Sequence, residues 1–141
     1  MNKDEATYYL SLHYLVTAFE MGSTGGPTFL QQHLDRYGNH LDDTWNAVIA
    51  KLAACWAIYT YPHEVEVAFA DSELEPSLVE RQARNAVCQS VNAYLNWDFR
   101  TIVDVTDAAS ADVKRCGVEL ALRHVAGLMC GAHAGHQPAA S

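Results

Sequence analysis

The chain is poor in positive charge: nine lysines and arginines stand against 17 aspartates and glutamates, a net charge of −8 over 141 residues. So acidic a chain carries no extended positive field, which argues against direct binding to nucleic acid or to an anionic membrane surface. The charge permits a basic protein partner. The chain also lacks any apolar run approaching the ~18 residues that span a bilayer. Its start, MNKDEATYY, has no basic region followed by an apolar stretch, so a cytoplasmic protein is expected.

Signatures of common chemistries are missing too. There is no G-x-G-x-x-G, no phosphate loop and no G-x-S-x-G; the stretch STGGP at 23–27 is too short for a phosphate cradle and lacks its lysine. No Glu-x-x-His occurs, so the paired ligands of a helical di-iron site are not offered. His13, His33, His40, His63 and His124 are read as polar residues at helix margins. His33 and His40, seven apart, share a helical phase, but Gly38 interrupts it. No cofactor is expected. Internal repeats are absent, and so is a convincing pair of strands. Only HEVEVAFADSELEP, 63–76, alternates, and a lone strand has nothing to pair with, so a short helix started by Pro62 is expected there.

What is present is a globular composition: half the residues are apolar and 18% are charged. A chain of this length buries roughly two-thirds of its unfolded surface, enough for one core without staples. The four cysteines, Cys55, Cys88, Cys116 and Cys130, fall in apolar helical segments and are read as reduced core thiols. Cys116 follows Lys114 and Arg115, which would activate an exposed thiol, but it shares the phase of Val113 and Leu120 and should be buried.

Apolar periodicity marks the helices. Asp4 to Met21 carries Tyr8, Leu12, Leu15, Val16 and Phe19 at helical spacing, with Gly22 at its end; Tyr9, Leu10 and Tyr14 widen the apolar surface, so this helix is either central or shared with a second subunit. Pro27 suits the first turn of a short helix whose inner face is Leu30, His33, Leu34 and Tyr37. Asn39 then caps a helix striped with Leu41, Trp45, Val48, Ile49, Leu52, Cys55 or Trp56, and Tyr59, closed at Tyr61-Pro62. From Pro76 a further helix turns Val79, Ala83, Ala86, Val87, Val91, Tyr94 and Leu95 inward. Asp98 caps a segment with Phe99, Ile102 and Val103, and Ser110 starts a last helix to about Cys130. That helix is apolar on two faces and belongs mid-bundle, with Gly117 and Gly127 admitting close neighbours. The fold expected is an all-α, compact single domain of about five to six helices over 1–131, followed by a flexible Ala/Gly/His tail at 132–141.

Two stretches could carry function. Glu64, Glu66, Asp71, Glu73, Glu75 and Glu80 lie together without a lysine or arginine among them. Such a run is usually a solvated face, but with Phe69 embedded in it, Glu64, Glu66, Asp71, Glu73 and Glu75 could form an acidic docking surface for a basic partner. Cys130, His133 and His136, spaced three apart, could meet one zinc, with Cys116 or His124 as a remote fourth ligand. Structural zinc sites show two separated ligand pairs, however, so these three are read first as a helix end passing into solvent. Seven tyrosines and three tryptophans exceed what one small core needs and suggest a homodimer interface. The function expected first is a non-enzymatic, acidic protein-interaction module, a binder, inhibitor or adaptor whose partners include basic nucleic-acid-binding proteins. A metal- or ligand-binding protein using the C-terminal Cys/His cluster, and a small helical enzyme with a dispersed site, are the alternatives.

Overall fold

In a computed structural model, which describes residues 2–59 and 75–135, the described chain forms six α-helices: α1 (Lys3–Glu20), α2 (Gly26–Arg36), α3 (Leu41–Tyr59), α4 (Leu78–Leu95), α5 (Phe99–Ala108) and α6 (Ala111–Gly135). The chain is an all-α bundle and a single domain, as its periodicity indicated.

The helix starts follow from side chains that satisfy otherwise orphaned N–H groups. Asn2 Oδ1 accepts from Glu5 N at 2.8 Å in α1, Ser77 Oγ from Glu80 N at 3.2 Å in α4, and Ser110 Oγ from Val113 N at 3.2 Å in α6. Asp98 caps α5 by accepting from the Thr101 backbone at 3.2 Å and its hydroxyl at 2.6 Å, and these bonds hold its carboxyl below the usual range. Asn39 does not act as a cap. It sits in a turn of 3-10 helix, Gly38–His40, that runs directly into α3, after Tyr37 alone breaks helical geometry at the end of α2.

α6 packs against α3, α4, α1 and α2 and is the hub of the bundle. Its Val113, Val118, Leu120, Ala121, Leu122 and Val125 are all buried, which explains why neither of its faces reads as polar. Against it α3 sets Trp45, Val48, Ile49 and Leu52, and α4 sets Ala83, Val87 and Val91, all buried. Gly117 is required where α6 crosses α3: a Cβ there would lie 2.3 Å from the Trp45 ring. Gly127 has no such neighbour: among the described residues no atom of another helix lies within 4 Å of its Cβ position, and the close approach expected there is not seen.

Ion pairs tie the helices from outside the core. Lys114 of α6 reaches Asp42 of α3 at 2.6 Å, Arg115 reaches Asp35 of α2 at 2.8 Å, and Lys51 of α3 reaches Glu20 of α1 at 2.6 Å. Some expected inner positions prove peripheral. Tyr59 and Val79, at the end of α3 and the start of α4, are exposed. α6 continues to Gly135, past the end expected near Cys130: Ala and Gly alternating with His remove the apolar periodicity that marks a helix, but not its backbone hydrogen bonds.

Candidate functional site

Most residues of the two stretches singled out in the sequence lie outside the described part of the chain. Glu64, Glu66, Phe69, Asp71, Glu73 and His136 are beyond it, as are the Cys130 and His133 side chains, whose backbones are the continuation of α6. Glu75 is described, exposed, and paired with Arg81 at 3.0 Å. Among the described residues no group of three or more His, Cys, Asp or Glu side chains is placed to hold a metal ion. Burial pushes the Cys55 thiol up, and burial followed by the carboxylates of Glu80 and Glu119 does the same for Cys116. Neither has the exposed, electropositive setting of a nucleophile.

The structure offers two features instead. The first is an aromatic ridge where α4 turns into α5. Here the Asp98 N–H donates to Ala93 O at 2.8 Å and the Trp97 N–H to Tyr94 O at 3.2 Å, the paired bonds of a Schellman turn. This turn places one residue in the left-handed region, normally glycine. The equivalent turn closing α1 uses Gly22, with φ 66°; here the residue is Trp97, with φ 57°. An L side chain in that conformation costs about 1–2 kcal/mol. Trp97 recovers little of it inside the chain, for it is 79% exposed. Its ring stands edge-on to Phe99 with centroids 5.9 Å apart, and Val103 follows one turn on. Phe99 and Val103 are each 55% exposed, while Ile102 and Thr106, beside them on α5, are buried. Phe99 and Val103 border a depression of about 430 Å³ that also includes Tyr94, Asp42 and Asp107. Asp42 is engaged by Lys114. Asp104 and Asp107 have no ion-pair partner among the described residues.

The second feature is a buried chain of polar side chains between α1, α2 and α3. Tyr8 OH lies 2.8 Å from Thr44 Oγ1, which lies 3.2 Å from His33 Nε2; His33 Nδ1 lies 2.8 Å from Ser11 Oγ. His40 stacks on Tyr8 at 4.3 Å and meets Asp43 at 3.3 Å. The 3-10 turn therefore brings His33 and His40 to one aromatic ring despite Gly38. His33 is not at a helix margin: it is 2% exposed. Its pKa falls from 6.5 to about 4, first because burial penalises the cation and second because His40 is near. The same burial raises the pKa of Tyr8. The sequence placed His33 on the inner face of α2, and that much could have flagged it; its partners sit 11 and 22 residues away and leave no local signal.

Ser11 and His33 line a cleft of about 250 Å³ between α1 and α2, walled by Leu10, Tyr14, Phe29 and Tyr37. A larger open groove, about 620 Å³, separates α4, α5 and the start of α6; it is lined mainly by short and polar side chains, among them Gln82, Asn85 and Gln89. No helix among the described residues is long and apolar enough to cross a membrane. Compared with protein-family models, with curated proteins and with solved structures, the chain matches none.

Proposed function

We propose that the protein is a small acidic protein-interaction module that binds a basic protein partner, as an inhibitor or adaptor, through the ridge formed by Trp97, Phe99 and Val103. One observation carries this. The fold accepts a strained tryptophan at a position where glycine is unstrained, and the side chain so placed is largely in water. Local strain of that kind is retained where the side chain has work outside the fold. Tryptophan is also the residue type most enriched at energetically dominant interface positions. The surrounding charge supports a basic partner: Asp98, Asp104 and Asp107 outnumber Arg100 along α5, in a chain of net charge −8. One arginine or lysine of the partner could stack on Trp97 while another meets Asp107. The homodimer suggested by the aromatic surplus is part of the proposal, with Tyr9, Tyr14, Tyr59 and Trp97 exposed; mass in solution checks it.

Trp97→Gly separates this reading from a structural role. The variant relieves the backbone strain, so its resistance to urea should equal the parent's or exceed it by up to about 1 kcal/mol. Capture of the partner from lysate, followed by affinity measurement with the purified pair, should show a loss of at least about 2 kcal/mol. A variant that unfolds more easily yet binds as well as the parent would refute the proposal.

A further inference from the structure

The polar chain under the α1–α2 cleft has a direction. Tyr8 and Thr44 are fully buried, and a buried hydroxyl hydrogen must be donated. The Tyr8 hydroxyl has Thr44 Oγ1 as its hydrogen-bond partner among the described residues, so Tyr8 donates and Thr44 accepts. Thr44 must then give its own hydrogen to His33 Nε2, the other atom within reach. With Nε2 accepting and the ring neutral, the imidazole proton sits on Nδ1 and is donated to Ser11 Oγ. The neutral ring agrees with the lowered pKa of His33. The Ser11 hydroxyl, now an acceptor, is left with an unspent hydrogen. Thr7 and Thr106 return theirs to the carbonyls of Lys3 and Ile102 at 2.8 Å, whereas Ser11 has only His33 as a partner among the described residues. Four residues thus present one hydrogen-bond donor at a cleft wall.

The rest of the cleft is apolar with one cation. Leu10 and Tyr14 at its rim are 55% and 59% exposed. Arg36 lines the same cleft, its guanidinium 5.6 Å from the centre of the Tyr37 ring. It makes no ion pair with any described residue, and the neighbouring Asp35 is occupied by Arg115.

We propose that this cleft binds a small organic carboxylate: Arg36 pairs with the carboxylate, the Ser11 O–H donates to it, and Leu10, Tyr14, Phe29 and Tyr37 enclose the apolar body. A planar guanidinium fork matches a carboxylate in two parallel bonds. One cation and one hydroxyl suit a single negative charge better than a phosphate. At about 250 Å³ the cleft is smaller than those that take drug-sized ligands, which limits the body to a single ring or a short chain. None of these residues belongs to the Trp97 ridge, so the site is independent of the basic partner, and Tyr14 alone is shared with the proposed homodimer surface.

The test is an NMR titration of the full chain with benzoate and with hexanoate, using benzyl alcohol and hexanol as uncharged counterparts. Saturable shifts centred on Ser11, His33 and Arg36 are expected for the acids, with binding of the alcohols at least tenfold weaker. Arg36 is exposed, so Arg36→Gln should fold normally while weakening benzoate or hexanoate about tenfold or more. Ser11→Ala should weaken them severalfold and move the His33 ring signals in the unliganded protein. No saturation by either acid up to about 10 mM, an affinity too weak to need a built site, would overturn the proposal. So would equal binding of acids and alcohols, or unchanged affinity in Arg36→Gln.

Discussion

Gly117 shows how much a single residue decides here. A helix-interior glycine costs about 1 kcal/mol relative to alanine, so Gly117→Ala on an isolated helix would be a gain. In the bundle the new methyl group would lie 2.3 Å from a ring carbon of Trp45, itself fully buried, and neither can withdraw. The net expectation is a loss of about 1–3 kcal/mol in urea unfolding. Trp45→Phe should recover part of it: the shorter ring vacates the contact and also removes Trp45 Nε1, a buried donor with no hydrogen-bond partner among the described residues. Additive losses in the two single variants and the double variant would show that the contact is not the cause. The sequence offered Gly117 and Gly127 as equivalent points of close approach. Only the arrangement of α3 across α6 distinguishes them, and that arrangement is not written in either glycine's neighbourhood.

At the scale of the elements, the helices were legible wherever a cap and a stripe agreed. Asp98 precedes Thr101 and Ser110 opens α6, and each side chain does what its position suggested, while Ser77 caps α4 one residue past Pro76, where no cap was expected. Ser77→Ala should therefore cost about 1 kcal/mol, with the loss of amide protection confined to the first turn of α4; an unchanged first turn would show that the cap bond is idle. Elements were misjudged where side-chain type and backbone need diverge. Trp97 occupies a glycine conformation, and a tryptophan carries no local mark of a left-handed turn. Asn39 has a capping side chain but sits in a 3-10 turn, because α2 and α3 are joined too tightly to need a cap.

For the molecule as a whole, the buried His33 makes stability depend on pH. Its folded pKa, about 4, lies below the ordinary 6.5, so on acidification the unfolded chain takes up this proton first. The contribution is complete above about pH 6.5 and is lost as pH falls from there toward 4. The displacement corresponds to roughly 3 kcal/mol in all, about half of it lost between pH 6.5 and 5, before most carboxylates titrate. Urea unfolding across that window should show the decline in the parent and a flatter profile in His33→Gln; an equal slope in both would assign the effect to other groups. In the same molecule the excess of acids favours association with a basic partner at low ionic strength, and added salt should slow it.

The sequence by itself determined the fold class, the order of the helices and most of their buried faces, because a 3.6-residue period and a capping side chain are local properties that survive without neighbours. It determined the acidic surface too, since charge is a sum over residues. Tertiary structure decided the rest. The Ser11–His33–Thr44–Tyr8 chain is assembled from three helices, and Arg36 becomes a candidate anion partner only once α1 and α2 form the cleft that it lines. The ridge at Trp97 emerges only when the backbone takes a turn that its side chain resists. Each of these depends on which distant atoms are brought near or kept away, and a burial or a bond between residues far apart in the chain has no period to read.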